Sequence, residues 1–271
     1  MGRLVYAGAT SHVGAIIKNP GAHPDRVEVL NAAWERMVAD IANADPDVVV
    51  IIATDHYETF GLEHYPIFCL GSAERFPAWG EFGNPGGEVA GEPVTADALH
   101  ASLVADDFDV AKAMEMNLDH SFMVPILRLG LQQRAVVPFF VNCNTPPLPS
   151  LTRCRDLGLA LRSAIEALPG NTAVAVVATG GVSHWVGLPE FGKINQAWDQ
   201  EFLARLERGC LDDVLALSDA EILEQAGNGA LEIRTWLTAQ SCAGGTATVL
   251  GYAPMPDWAI GIGVVHMEVG A

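Results

Sequence analysis

The sequence has no long hydrophobic run and little positive charge. No apolar stretch reaches the ~18–20 residues that cross a bilayer, so we expect no membrane span. The first residues carry one Arg but no apolar core, so we expect no secretory signal. The chain has 15 Lys and Arg against 33 Asp and Glu, which gives a formal net charge of −18. A nucleic-acid-binding protein needs a basic face, and this charge excludes that class.

The sequence also lacks paired cysteines, internal repeats and low-complexity linkers. Its five cysteines form no CxxC motif: they are Cys69, Cys143, Cys154, Cys210 and Cys242. An odd, scattered set is typical of reduced thiols in a cytoplasmic protein, where most fill the core. The chain has 271 residues, half of them hydrophobic, which is enough for one large α/β domain. We therefore predict a cytoplasmic protein with a single domain over residues 1–271.

Three apolar runs each lead to a hydroxyl or carboxylate residue that histidine follows directly. They are residues 48–52 before Thr54-Asp55-His56, residues 4–7 before Thr10-Ser11-His12, and residues 173–178 before Gly180-Gly181-Val182-Ser183-His184. The run 48–52 is β-branched throughout, which predicts a strand buried on both faces. The carboxyl ends of strands in open α/β sheets hold ligands. Three such histidines, among eight in the chain, indicate a shared site in which Asp55 could orient the ring of His56.

The first hundred residues open with a β-α-β unit. Strands are predicted at 3–8 and 48–53, and the helix between them carries apolar residues at helical spacing. These residues are Val27, Leu30, Trp34, Met37, Val38 and Ile41. Strands joined in this way most simply lie parallel, so His12 and His56 are expected at the same sheet edge.

The rest of the chain continues to alternate strand and helix patterns. Further strands are predicted at 65–70, 108–114, 135–141, 173–178, 246–252 and 259–268, and helices at 95–105, 121–131, 151–168, 195–208, from 219 and from about 230. Residues 77–94 are rich in Gly and Pro and predict an irregular loop. Asp119 is expected to cap the helix that follows it, which leaves His120 near a helix N-terminus that disfavours imidazolium. Ser218 to Glu221 matches a capping box.

If His12 and His56 bind one metal, a third protein ligand is needed. A carboxylate would give the facial triad of non-haem Fe(II) oxygenases, and another histidine would favour a hydrolytic zinc site. The candidate carboxylates are Glu58, Glu63, Asp119 and Glu232. The helical neighbours Thr235, Trp236 and Ala239 give Glu232 no basic partner, which favours a metal, but a solvated Glu at a helix start fits equally well.

Several segments together resemble one protein family. They are Thr10-Ser11-His12, Thr54-Asp55-His56-Tyr57, Phe68-Cys69-Leu70-Gly71, Leu118-Asp119-His120, residues 179–184, residues 191–199 and residues 229–236. In this order and spacing the chain resembles the class III extradiol ring-cleaving dioxygenases. Residues 55–57 and 68–71 look like the 2,3-dihydroxyphenylpropionate dioxygenase branch, and residues 191–199 look more like the protocatechuate 4,5-dioxygenase β subunit.

The resemblance implies a fold, a cofactor and roles for particular residues. It implies an α/β fold with a central mixed sheet flanked by helices and a metal site at the carboxyl ends of the strands. His12, His56 and Glu232 match the family's Fe(II) ligands. His184 matches its catalytic base, and His120 matches a second active-site histidine that contacts substrate and acts as an acid.

The implied function is cleavage of a catechol-type ring, such as a catechol, protocatechuate or gallate, with O₂. The implied partners are that small aromatic diol and O₂, with no nucleic acid or membrane; homo-oligomers are common in the family, and one branch uses a small partner subunit. The alternatives are an aminophenol dioxygenase, a zinc hydrolase and a non-catalytic Memo-like metal-binding or interaction protein. Lys18, Arg26 and Lys193 could meet a substrate carboxylate, although each also fits a surface charge.

The base assignment predicts that His184→Ala retains the metal and loses most turnover. General-base help is typically worth a factor of ~10²–10⁴, so kcat should fall by about that range. The measurement is kcat together with metal content. A normal kcat in a fully metal-loaded variant would refute the role of His184.

Overall fold

The computed structural model describes residues 1–270, except for the side chain of residue 82, so only the last residue of the predicted 1–271 domain lies outside the described part. The strands are β1 (Arg3–Thr10), β2 (Val48–Ala53), β3 (Phe68–Gly71), β4 (Arg75–Ala78), β5 (Gly87–Ala90), β6 (Ala111–Ala113), β7 (Ala135–Val141), β8 (Ala173–Thr179), β9 (Gly244–Met255) and β10 (Ile260–Val269). The α-helices are α1 (Ala15–Lys18), α2 (Pro24–Ala44), α3 (Pro93–Ala105), α4 (His120–Arg128), α5 (Leu151–Ala167), α6 (Gln196–Glu207), α7 (Leu211–Leu215), α8 (Asp219–Ala226) and α9 (Ile233–Ala243).

Eight of these strands form one mixed sheet in the order β6-β3-β7-β2-β8-β1-β10-β9. The four central strands β7, β2, β8 and β1 run parallel to one another. Strand β3 is antiparallel to β7 on one side, and β10 is antiparallel to β1 on the other. Long crossover connections are what parallel neighbours require, and helices supply them here. The predicted α/β fold with a central mixed sheet is confirmed.

The central strands are buried on both faces. Val48, Val50 and Ile52 belong to one apolar core, and Val49 and Ile51 belong to another on the opposite face. Side chains of α2 and α4 complete the second core, and those of α3, α5, α6 and α9 complete the first. A strand covered on both sides needs no polar alternation, which explains the uninterrupted β-branched run.

The topology brings the three histidine-bearing strands side by side. Strand β8 lies between β2 and β1 and pairs in parallel with both. Thr10 at the end of β1 is opposite Thr179 at the end of β8. The segments that follow these strands therefore emerge together at one sheet edge, as the β-α-β argument predicts, although β1 and β2 are not direct neighbours.

Several details differ from the predictions. The predicted loop at 77–94 overlaps the β4–β5 hairpin, which spans residues 75–90 and has a short 3-10 helix, Glu81–Gly83, between its strands. The hairpin forms because Phe76 and Val89 are buried in the core. The strand expected at 108–114 is only β6, at the sheet edge. Val38 is exposed on α2, since it lies beside the buried Met37 rather than on its face. None of the helices among residues 1–270 is long and apolar enough to cross a membrane.

The α5–α9 contact generates a test of the packing. A Cβ on Gly158 of α5 would collide with the carbonyl oxygen of Thr238 in α9. Gly158→Ala should therefore destabilise the protein by about 1–3 kcal/mol, as overpacking does, although helix propensity alone favours Ala by up to about 1 kcal/mol. Thermal unfolding measures the change. Gly21→Ala is the matched control, because a Cβ there meets no described atom within 4 Å; an equal or higher melting temperature for Gly158→Ala would contradict the packing argument.

Candidate metal centre and active site

All five residues singled out from the sequence converge at the carboxyl ends of the parallel strands. They are His12 after β1, His56 after β2, His120 at the start of α4, His184 after β8, and Glu232 at the end of a 3-10 helix, Gly229–Glu232, that leads into α9. Glu232 was expected inside a helix beginning at about Ala230. The structure instead places it at the junction of the 3-10 turn and α9, where Thr235 donates to the Thr179 carbonyl and holds α9 against β8.

The imidazole rings surround one carboxylate. Oε1 of Glu232 lies 3.5 Å from Nε2 of His12 and 3.4 Å from Nε2 of His56. Its Oε2 lies 4.0 Å from Nε2 of His184. The ring of His120 is 5.4 Å from that of His12 and 4.2 Å from that of His56, between centroids. Glu232 and His12 are almost completely buried.

The outer nitrogen of each ring has a partner that fixes its tautomer. Nδ1 of His56 lies 2.7 Å from Asp119, and Nδ1 of His120 lies 2.8 Å from Glu81. Nδ1 of His184 lies 2.9 Å from the carbonyl oxygen of Val182. Carboxylates and carbonyls only accept, so each Nδ1 is the donor, and in the neutral ring Nε2 carries the lone pair.

His12 reaches the same tautomer through a hydroxyl relay. Its Nδ1 lies 3.0 Å from Oγ1 of Thr179, and that hydroxyl donates its own proton to the Ser121 carbonyl at 2.8 Å. The Thr179 oxygen is left to accept from His12 Nδ1, which again leaves the lone pair on Nε2. All four active-site imidazoles therefore share one proton arrangement.

This arrangement requires a positive charge at the centre. Lone pairs of His12 and His56 face the negatively charged Glu232, and acceptors so placed repel one another unless a cation lies between them. Burial would raise the pKa of Glu232, but His12 and His56 hold it well below its usual range. Burial would lower the pKa of His56, but Asp119 and Glu232 raise it well above its usual range.

The donor set fits a divalent metal. Nitrogen atoms of His12, His56 and His120 all lie within 4.8 Å of one another, and Glu232 adds a carboxylate oxygen close to the first two. Imidazole binds Zn, Cu, Fe and Ni, and a carboxylate beside it neutralises part of the metal charge. The outer hydrogen bonds of Asp119 and Thr179 are of the kind that orient histidine ligands in metal sites.

Two glycines let His184 approach the carboxylate. A Cβ on Gly181 or on Gly229 would overlap the His184 ring. The backbone N–H of Gly181 also donates to Oε2 of Glu232 at 2.6 Å. The Gly180-Gly181 pair before His184 therefore provides space for the ring and a hydrogen bond to the carboxylate.

A cavity of about 800 Å³ opens over these residues. This lies within the ~300–1,000 Å³ typical of small-molecule sites. Its floor includes His12, His56, His120 and His184, and its walls are mostly apolar: Val13, Ala15, Trp79, Trp185, Val186, Phe191, Pro256, Trp258 and Ile260. Such walls suit an aromatic ring whose polar groups point toward the histidines.

Comparison with known proteins identifies the family. The model of the catalytic LigB subunit of aromatic ring-opening dioxygenases matches residues 6–263. The chain belongs to this family. Among its relatives, a 2,3-dihydroxyphenylpropionate/2,3-dihydroxicinnamic acid 1,2-dioxygenase of Paraburkholderia xenovorans is 31% identical over 84% of this chain and 86% of the relative. A second such enzyme, from Pseudomonas putida, is 30% identical over 93% and 95%.

A solved structure shows the same fold. It is an uncharacterized protein from Escherichia coli K12, with a TM-score of 0.58 at 16% identity, over 88% of this chain and 92% of the other. Membership of the ring-opening family makes this chain a ring-cleaving dioxygenase of a metal-dependent family. The non-catalytic and hydrolase alternatives are therefore set aside.

The prediction that Asp55 orients the His56 ring is wrong. Asp55 does not orient its ring; its carboxylate accepts instead from the backbone N–H groups of Thr59 and Phe60 and holds the loop after β2. The orienting carboxylate is Asp119, which also accepts from Ser121 as the predicted cap of α4. Glu81, the partner of His120, was missed, because a Gly- and Pro-rich segment gave no signal that it would reach α4.

The remaining histidines lie outside the cavity lining among the described residues. His23 pairs with Asp257 at 3.4 Å, and His100 bonds the carbonyl of Val110. His266 packs against Tyr6. Trp185, which follows His184, does line the cavity.

The orientation of His56 generates a prediction about metal affinity. Asp119→Asn leaves a side chain of the same size but removes the charge that holds His56, and loss of such outer partners typically weakens metal binding ~10–100-fold. Competition with a chelator measures the affinity. Asp55→Asn is the control, because the Asp55 carboxylate is next to His56 in sequence but bonds backbone N–H groups rather than the His56 ring. Equal losses in both variants would contradict the assignment of Asp119.

Proposed function

We propose that this protein is an Fe(II)-dependent extradiol dioxygenase that opens the ring of a catechol-type substrate with O₂. The observation that carries the proposal is the set of imidazole lone pairs and one buried carboxylate at the floor of an apolar cavity, in a chain of the ring-opening family. Named relatives act on 2,3-dihydroxyphenylpropionate, a catechol, which supports an ortho-diol as the substrate.

His12, His56 and Glu232 are proposed as the metal ligands. Glu232 is preferred to His120 as the third ligand because its carboxylate is buried, has no described Lys or Arg paired with it, and lies almost equally far from both other ligands. Two histidines and one carboxylate form the facial triad of non-haem Fe(II) oxygenases. When bound, Fe(II) would orient the diol and supply the electron transfer between an electron-rich ring and dioxygen.

His184 is proposed as the general base. Its Nδ1 donates to the Val182 carbonyl, so the lone pair on Nε2 is directed toward the cavity and can accept a proton from a ring hydroxyl. A phenol has a pKa near ~10, so deprotonation at neutral pH needs such an acceptor. The close approach at Gly181 and Gly229 keeps the ring in place during that transfer.

His120 is proposed to take up the proton of the second ring hydroxyl on Nε2 and to return it to a substrate oxygen as the ring opens. Its Nδ1 is bonded to the Glu81 carboxylate, which stabilises positive charge when Nε2 takes up a proton. His184 would therefore remove a proton early in the reaction, and His120 would supply one late.

We further propose that residues 1–271 act as one catalytic domain and, as is common in the family, as a homo-oligomer.

The function is tested by anaerobic purification with Fe(II) followed by oxygen uptake. The substrate panel comprises catechol, 3-(2,3-dihydroxyphenyl)propionate, protocatechuate, gallate and 2-aminophenol. We expect one O₂ consumed per ring and a yellow ring-opened product with at least one diol. Oxygen uptake with 2-aminophenol alone would mean that the substrate is an aminophenol and not a diol. No oxygen uptake by iron-loaded protein with any of these compounds would refute the proposal.

Two variants separate the ligand from the acid within the same experiment. Glu232→Ala should lose iron, since it removes the only carboxylate proposed to touch the metal. His120→Ala should retain iron and lose turnover. The reverse pattern would exchange the two roles and make His120 the third ligand.

A further inference from the structure

The three lysines of the chain have different surroundings. Lys112 pairs with Asp97 at 2.7 Å. The Lys193 ammonium lies 4.4 Å above the ring of Trp185. Lys18 lines the cavity over the active-site histidines, and no described carboxylate lies within 4.0 Å of its ammonium group. Lys18 is therefore a cation on the cavity wall without an ion-pair partner among the described residues.

The backbone beneath Lys18 is held firmly. Lys18 ends α1, the single turn that begins three residues after His12, and Ile16 of that turn is buried in the core. Trp258, another cavity residue, donates its indole N–H to the Asn19 carbonyl at 3.1 Å. The long side chain can move, but its attachment point is fixed at the cavity wall.

The other charges near the cavity make this cation significant. The chain carries a net charge of −18, so its general field repels anions. Two carboxylates line the cavity: Glu81 is bonded to His120, and Asp257 lies 3.4 Å from His23. Arginine is absent from the lining among the described residues. Apart from the histidines, Lys18 is therefore the cationic side chain that an anionic substrate would meet in the described cavity lining.

We propose that Lys18 binds a carboxylate on the side chain of the substrate and makes the enzyme selective for catechols with an acidic substituent. This inference rests on the proposed function and adds the substrate class. The diol end of the substrate would face the histidines, and the ring would pack between the apolar walls. The carboxylate end would then reach the Lys18 side of the cavity. Lysine acts here as a flexible point charge, which suits a mobile acidic tail.

The test compares a charged substrate with a neutral one. 3-(2,3-Dihydroxyphenyl)propionate and its primary amide differ in charge, while their diol ends are identical. In Lys18→Met we expect KM for the acid to rise about tenfold with kcat changed less than about twofold, because the lost contact binds substrate and transition state equally. KM for the amide should stay within about twofold. Lys112→Met is the matched control, since it removes the same charge from the sheet edge.

Two further variants determine whether charge is responsible. Lys18→Arg should restore most of the affinity for the acid. Asp257→Asn should lower KM for the acid by about twofold, because it removes a negative charge from the same cavity. An equal rise in KM for acid and amide in Lys18→Met would assign Lys18 to general packing and overturn the proposal.

A binding measurement keeps this test separate from turnover. Anaerobic calorimetry gives Kd for the acid and for the amide without any ring opening. Tighter binding of the acid by wild-type protein, lost in Lys18→Met, supports the inference even if no substrate is opened. Equal affinity of wild-type protein for both ligands overturns it, even if catechol itself is opened normally and the proposed function stands.

Discussion

Repulsion between a buried carboxylate and imidazole lone pairs is the constraint on which the site depends. Glu232 faces Nε2 of His12 and His56, and no described Lys or Arg pairs with it. Each imidazole is locked in this orientation by a partner on its other nitrogen, so the rings cannot relieve the repulsion by exchanging tautomers. A cation between these groups relieves the repulsion. The hydrogen bonds that fix the rings therefore favour binding of positive charge at this position.

The parallel sheet supplies the rigidity that this arrangement needs. Strands β1, β8 and β2 are adjacent and buried on both faces, so the segments after them start from fixed points. The hydroxyl relay from His12 through Thr179 to Ser121 joins the segment after β1 and the last residue of β8 to the first turn of α4. Glu232 arrives from a different direction, held by Thr235 against the end of β8. Core packing and site geometry are therefore parts of one structure.

Local sequence predicts the strands and the histidines well, and the partners of those histidines poorly. The β-branched run at 48–52 identifies β2 because burial on both faces leaves a composition signal. Asp55 looks like the partner of His56 because it is adjacent, yet its carboxylate turns to the backbone of its own loop. Asp119 is distant in sequence from His56, and Glu81 is distant from His120. Only the packing of α4 and the hairpin brings these carboxylates to the rings. The ligand set could be inferred only through resemblance to a family, because spacing left four carboxylates open.

The β4–β5 hairpin is a part of the enzyme whose sequence can vary separately from the central sheet. It forms its own two-stranded sheet, outside the eight-stranded one, and the segment between its strands carries Glu81. Phe76 and Val89 anchor the hairpin in the core and Ala78 pairs with Leu118, so evolution is freest to change the segment between its two strands. Such a change would alter the environment of His120 and the adjoining cavity wall at Trp79 together, while His12, His56 and Glu232 keep their own supports. The surroundings of the proposed proton donor and the cavity wall can therefore diverge among relatives while the proposed metal ligands stay the same.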